Sequence, residues 1–467
     1  MVRSTNAIVG IVFVSLILDL LAFTIPLPLF PRLIQHYVDQ ERHGSTLLSS
    51  TLAGLRHYRA YLHSLGLSQV STATEQNVKW DVTLLGGLLG SVFSLGQCVI
   101  APALGRLSDK YGRRAVLLTT MAGNILSSLV WLFSTTFSTY LLSRIIGGLS
   151  EGNVQLSIAI ISDVTTSQQR ARAMALIGLA FSLCFTFGPA LGAYLAPRAM
   201  STSLSLNYYA MPAAMATGLL IAETLLLAAL LPETRTSTAN LSSESTKQAP
   251  RRSVTERRAR LTALRSTHLG FILFFSGAEY TLTFLAYDLF AYSNAKNGRL
   301  LGFIGLLSAL LQGGYVRRAA VKKGSAYLAK TGISSSGLAM VLLCLLPALA
   351  DTSPRASALC LYAAAAALAY TSATVVNSLN TLASLECDES MQKDAQPKDV
   401  IPKGEALGRM RSAGQLGRTL GPLLATSTYW LLGPAKCYGA FAVGLLVVRF
   451  RSQAVLSASP DHDEKAE

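Results

Sequence analysis

Gly105-Arg106-Leu107-Ser108-Asp109-Lys110-Tyr111-Gly112-Arg113-Arg114, or GRLSDKYGRR, stands between two uncharged apolar runs near residues 82–103 and 115–134. Each run is long enough to cross a hydrocarbon core of about 30 Å, and backbone in lipid must bond within its own segment, so both are read as helices. The ten residues between them are then a tight polar turn. Gly105 lets the first helix approach a neighbour closely, and Gly112 permits the reversal. A carboxylate at Asp109 suits the positive amino-terminal end of another helix, while Arg113 and Arg114 offer partners for carboxylates.

The pattern extends in both directions. Further apolar runs lie near 7–31, 138–161, 171–196, 208–231, 267–290, 298–316, 326–350, 356–383, 405–431 and 435–450. The 467 residues are 51% hydrophobic and only 14% charged, about half the charge of a soluble domain. The sequence therefore predicts an all-α membrane protein with about twelve transmembrane helices. The first run has neither a strong basic flank nor a small-residue cleavage site, and is read as a retained helix. A net charge of +15 would suit nucleic acid, but the basic residues sit between apolar runs rather than along one face. They follow even-numbered runs: the turn above, Arg317, Arg318, Lys322 and Lys323 after the eighth, and eight Lys or Arg between Leu231 and Leu269 after the sixth. This asymmetry places both termini in the cytosol.

The chain divides into two six-helix bundles. Residues 1–231 form the first, with a long exoplasmic or lumenal loop over 32–80 in which Leu48, Leu52, Leu55 and Leu62 predict a short surface helix. The Ser-, Thr- and Arg-rich stretch 232–266 reads as a flexible cytosolic linker, 267–451 as the second bundle, and the acidic 452–467 as a disordered cytosolic tail. GPALG from Gly188 recurs as GPLLA from Gly421, six runs later, which suggests duplication. The six cysteines fall in or beside apolar runs and imply no disulfide framework. No zinc spacing, phosphate-binding loop or nucleophile elbow occurs, so neither a cofactor nor an enzyme is expected.

GRLSDKYGRR resembles the signature loop of the major facilitator superfamily, G-x-L-[AS]-D-[RK]-x-G-R-[RK]. Other segments match where that family's order requires. SRIIGGLSEGN, with Arg144 and Gly148, is similar to the fourth-helix motif in which an embedded arginine takes part in proton coupling. Gly188, Pro189 and Gly192 resemble the antiporter pattern G-P-x-x-G, and Gly421 and Pro422 are their counterparts in the second half. Asp163 followed by Arg170 resembles the start of the fifth helix. LDLLAFTIPLPLFPRL, FSLCFTFGPALGA and FSGAEYTLTFL look like the eukaryotic tetracycline transporter-like family. The resemblance implies two pseudo-repeated bundles, alternating access, and a latch at Gly105, Asp109, Gly112, Arg113, Arg114 and Asp163. It also implies amphipathic organic anions or drugs as substrates, exchange against protons, and residence in the plasma membrane or the nuclear envelope and endoplasmic reticulum.

Ionisable groups inside apolar runs are costly and therefore nominate a site. Asp19 lies about twelve residues into the first run, roughly 18 Å deep at 1.5 Å per residue. In the fourth run Arg144, Glu151 and Gln155 are spaced to share one helix face. Glu279 and Tyr280 in the seventh run and Tyr370, Asn377 and Asn380 in the tenth complete a set on helices one, four, seven and ten, which line the central cavity in the family. Arg411, Gln415 and Arg418 share a face of the eleventh; a structural role is favoured for Arg411 and either role fits Arg418. Glu223 and Asp288 are read as solvated groups near helix ends. The expected mechanism is neutralisation and release of a proton at Asp19, Glu151 or Glu279, with burial and Arg144 acting oppositely on the carboxyl. The expected partners are a small-molecule substrate, protons and the lipid bilayer, with no nucleic acid, and the protein is expected to act as a monomer. A facilitative uniporter, or a transport-inactive scaffold or receptor on the same helices, are the alternatives.

Overall fold

Apolar runs separated by charged turns become helices packed side by side. The protein is described here from a computed structural model, which covers residues 4–26, 29–41, 46–64, 74–195, 206, 209–235, 253–388 and 400–457. The middle of the expected linker, 236–252, and the tail from 458 onward lie outside the described residues.

The amino-terminal bundle contains α1 (Thr5–Thr24), α4 (Thr74–Tyr111), α5 (Arg113–Leu132), α6 (Phe137–Ser150) with α7 (Asn153–Val164), α8 (Ser167–Leu195) and α9 (Ala210–Leu230). Two further helices, α2 (Phe30–Gln40) and α3 (Leu47–Ser64), follow α1. The carboxyl-terminal bundle contains α10 (Val254–Phe290), α11 (Asn294–Leu310), α12 (Arg317–Thr352), α13 (Pro354–Asp388), α14 (Lys403–Leu432) and α15 (Pro434–Arg451), with a short α16 (Gln453–Ser457) after it. A π-helical turn, Leu311–Val316, joins α11 to α12, and Gly324 breaks α12 with φ +79°.

Nine helices among the described residues are long and apolar enough to cross a membrane, one of them the merged segment Ala295–Thr352. That segment holds two runs, and α14 and α15, richer in Gly, Lys and Arg, complete the twelve crossings in two six-helix bundles. The bundles meet along α4 with α14, and along α8 with α11, α12 and α13.

Several boundaries differ from expectation for identifiable reasons. The first run splits, α1 ending at Thr24 and α2 starting at Phe30 with a proline in its first turn. Residues 254–266, expected to be flexible linker, are a helical extension of the seventh span. Ser253 and Glu256 form a reciprocal capping box there, and Arg260 pairs with Glu386 at 2.6 Å. Leu456, expected in a disordered tail, is buried on α16. The fourth run is interrupted: Glu151 has an extended ψ of 103°, and Gly152 opens α7.

The duplicated glycine motif makes equivalent contacts in both halves. A Cβ at Gly188 or Gly192 of α8 would strike Thr24 and Ile25 at the end of α1. A Cβ at Gly421 of α14 would strike Leu273, Ser276 and Gly277 of α10. Fifth packs on first as eleventh packs on seventh, with Pro189 and Pro422 inside the two helices. Gly148 of α6 abuts the Phe93 carbonyl of α4 in the same manner.

Candidate functional site

Two groups of polar residues stand out, one at the amino terminus of α14 and one inside the amino-terminal bundle. The first begins with a helix end that has unpaired N–H groups and needs an anion. Asp109, at the end of α4, accepts from Gly404 N at 2.9 Å through Oδ1 and from Glu405 N at 2.8 Å through Oδ2. The approach requires glycine, because a Cβ at Gly105 would collide with the Gly404 carbonyl. Arg113 Nη1 donates to the same Oδ1 at 2.7 Å, and its Nε donates to Asp163 Oδ2 at 2.8 Å. Lys403 of α14, 3% exposed, approaches Asp163 Oδ1 at 3.4 Å and donates to the Ser162 carbonyl at 3.1 Å. Gly112, at φ +99°, turns the chain so that Glu233 receives the Arg113 and Arg114 N–H groups at 2.8 and 3.1 Å, capping α5. Arg114 itself donates to the Ala228 carbonyl at 2.6 Å.

Toward the opposite end of α14, about 35 Å from Gly404 at 1.5 Å per residue, Tyr58 of α3 lies 2.9 Å from Ser427, and Leu62, Leu84 and Leu431 form an apolar cluster. Both ends of α14 are therefore bridged to the amino-terminal bundle.

The second group surrounds the break in the fourth span. Asn153, in the first turn of α7, donates to Asp19 Oδ1 at 2.7 Å, and Asn124 of α5 donates to Glu151 Oε2 at 3.0 Å. Ser15 of α1 donates to Glu223 Oε1 at 2.7 Å. Asp19 is 4% exposed and Glu223 0%. Arg144 lies over three rings, with its guanidinium carbon 5.4 Å from the Tyr140 centroid, 5.8 Å from Trp131 and 5.9 Å from Phe93. Among the described residues no carboxylate pairs with it. Asp19, Glu151, Asn124 and Arg144 line one cavity of about 50 Å³, which has room for a few waters. An organic ligand would need several hundred Å³, so the cavity must widen to admit one. Arg411 of α14 donates to Gln97 at 3.1 Å and lies within electrostatic reach of Glu151 and Asp19.

The remaining sequence-nominated residues disperse. The break at Gly152 resets the helix phase, so Gln155 does not share the Arg144 face; it is buried and donates to the Ala101 carbonyl at 3.1 Å. Glu279 is exposed and does not line the cavity. Tyr280 lies beside Gly87 of α4, and Tyr370 bonds Thr331 at 2.9 Å. Asn377 sits with Gln312 against Gly178, at the contact between α8 and the π-helical turn. Arg418 is half-buried on α14. Glu223 is corrected outright: it is buried near mid-helix, seven residues inside the end of α9, and not a solvated helix end. Sequence reasoning also missed Ser15, Asn124, Asn153 and Lys403. A lone Glu within an apolar run was a usable signal for Glu223; nothing marked the two asparagines. A larger open groove of about 390 Å³ beside Arg318, Lys322 and Lys323 contains none of these carboxylates.

A profile of the Major Facilitator Superfamily matches residues 12–396. The chain is 36% identical over 459 residues to major facilitator superfamily domain-containing protein 10 of Mus musculus, covering 93% of this chain and 90% of that protein. The Homo sapiens protein of the same name is 33% identical over 471 residues, 95% and 91% of the two chains. A tetracycline resistance protein, class H, of Pasteurella multocida is 38% identical over 109 residues, 23% of this chain and 27% of that one. The crystal structure of the human organic anion transporter MFSD10 (TETRAN) superposes with TM-score 0.77 at 30% identity, covering 96% of this chain and all of that one. The proton:xylose symporter XylE superposes with TM-score 0.67 at 12% identity, covering 97% and 96%, a likeness of fold alone.

Proposed function

Since the chain belongs to the major facilitator superfamily, whose members are membrane transporters rather than enzymes, we propose that it exchanges amphipathic organic anions for protons by alternating access. The observation that carries the reading is the cavity where Asp19 and Glu151, each held by an asparagine amide, face an arginine caged by three aromatic rings. Amide donors orient the carboxyls, and Arg144 with its rings offers a flat aromatic anion both a counter-charge and apolar faces. A relative described as an organic anion transporter agrees with this chemistry.

Asp109, Arg113, Asp163 and Lys403 are the closing contacts between the bundles, and Gly105 and Gly112 set their geometry. Opening that end pulls the amino terminus of α14 off Asp109; opening the other end parts α3 from Ser427 and Leu431. The Lys and Arg distribution supports a cytosolic position for GRLSDKYGRR and both termini. We assign the protein to the plasma membrane or the nuclear envelope and endoplasmic reticulum, acting as a monomer with its bundles divided between Leu230 and Val254.

The test is uptake of a panel of radiolabelled organic anions into proteoliposomes with and without an imposed pH gradient. The gradient should drive uptake in wild type, and Asp19→Asn or Glu151→Gln should abolish that drive at equal protein level. Glu279→Gln, outside the cavity, should retain it. Uptake indifferent to the gradient would favour a facilitative carrier, and no uptake of any anion would sink the proposal.

A further inference from the structure

Glu223 belongs to no motif and does not line the cavity, yet it is the most enclosed carboxyl among the described residues of the amino-terminal bundle. It is 0% exposed, its Oε1 accepts only from Ser15 at 2.7 Å, and its Oε2 has no partner among the described residues. A charged carboxylate so placed would be poorly compensated. The groups around it come from α1, α5, α8 and the break after α6. From α1 come Ser15 and Asp19; from the break after α6 comes Glu151, the other carboxyl within electrostatic reach. From α8 comes the Cys184 thiol, which interacts with Asp19. The α5 side brings uncharged Ser128, 2.8 Å from Thr217, and Arg114 only at the far end of α9. Arg411 couples to Glu151 and Asp19.

Access to the cavity separates the three carboxyls. Asp19 and Glu151 each meet an amide N–H, a group that can only donate and so requires an acceptor oxygen. Glu223 meets a hydroxyl, which donates to a carboxylate and equally accepts from a carboxylic acid. All three hydrogen bonds survive protonation, because a carboxylic acid keeps an acceptor oxygen; Asp19 and Glu151 border the cavity, whereas the Oε2 of Glu223 is buried away from it with no partner among the described residues. Carboxyls sharing a low-dielectric site are not all ionised together. A metal ion is not the alternative occupant, since among the described residues no three acidic, His or Cys groups are arranged to hold one.

We propose that Glu223 is a proton-binding site of this transporter, occupied in the present state and read by the cavity through its interaction with Asp19. This rests on the proton-coupled reading above and adds a proton held outside the cavity. On that basis the charge that Asp19 and Glu151 carry toward a substrate depends on a group the substrate never touches.

Infrared difference spectroscopy of the purified protein in lipid at neutral pH tests it without any substrate. Wild type should show the carbonyl stretch of a protonated, dry carboxyl; Glu223→Gln should lose it, and Ser15→Ala should shift its frequency without removing it. A Glu223→Gln spectrum superimposable on wild type, with unaltered thermal unfolding, would overturn the proposal. In proteoliposomes, Glu223→Gln should displace the pH profile of anion exchange and Glu223→Asp should restore it. A wild type indifferent to pH gradients would defeat proton coupling yet leave the infrared test of Glu223 standing.

Discussion

Replacing Asp109 by Asn should unlock one end of the molecule. The carboxylate receives three donors: Gly404 N at 2.9 Å, Glu405 N at 2.8 Å and Arg113 Nη1 at 2.7 Å. Asparagine keeps one oxygen and presents an N–H₂ toward the second backbone N–H, donor to donor. One charge-assisted hydrogen bond, worth about 1.5–3 kcal/mol, is lost. The anion's interaction with the α14 terminus, about 0.5–1 kcal/mol, goes with it. A sum near 3 kcal/mol lowers the ratio of closed to open states at this end about 100-fold. Arg113 still holds Asp163, so the amino-terminal bundle itself should stay folded. Spin labels at the exposed positions Tyr111 and Arg409, after replacement of the native cysteines, would report the separation of α4 and α14. Wild type should give a short distance and Asp109→Asn a predominantly long one. Superimposable distance distributions would refute the assignment of Asp109 as a contact that closes the bundles.

Three further outcomes follow from other contacts. Gly192→Leu, forced against the Ile25 carbonyl, should cost about 1–3 kcal/mol and lower the melting temperature, whereas Gly218→Ala, with open space around its Cβ position, should not. Lys403→Met leaves buried Asp163 with one cation instead of two; because Arg113 still pairs it, the cost should be that of one charged contact, about 1.5–3 kcal/mol, read as earlier thermal unfolding and as non-additivity with Asp163→Asn. Arg144→Lys keeps the charge but loses the planar group stacked among Phe93, Trp131 and Tyr140, so KM for a transported aromatic anion should rise about tenfold while protein level holds.

What the sequence disclosed depended on the kind of signal. Spans were legible because lipid thickness fixes the length of an apolar run, and the turn at 105–114 because anion, glycine and helix end must coincide there. Burial was less legible where it depended on neighbours. Asp19 stood out as a charge deep in a run, but its partner Asn153 looks like any polar residue until the interruption at Gly152 turns it inward. The same interruption removed Gln155 from the face that an unbroken helix would have given it. Glu223 was misplaced by judging depth from the ends of an apolar run, when its side chain lies against Ser15 of another helix. The helical start of α10 was hidden by its charge, although Ser253 and Glu256 announced the cap. Long-range partners such as Lys403 with Asp163, 240 residues apart, have no local signature at all.

The most direct measurement is of protons themselves. Proteoliposomes carrying a lumenal pH indicator would be given an organic anion that the wild type transports, and the pH change followed. Wild type should move protons in fixed proportion to the anion, while an Asp19→Asn, Glu151→Gln variant should exchange anion for anion with no accompanying proton. An unchanged proton-to-anion ratio in that variant would contradict the account.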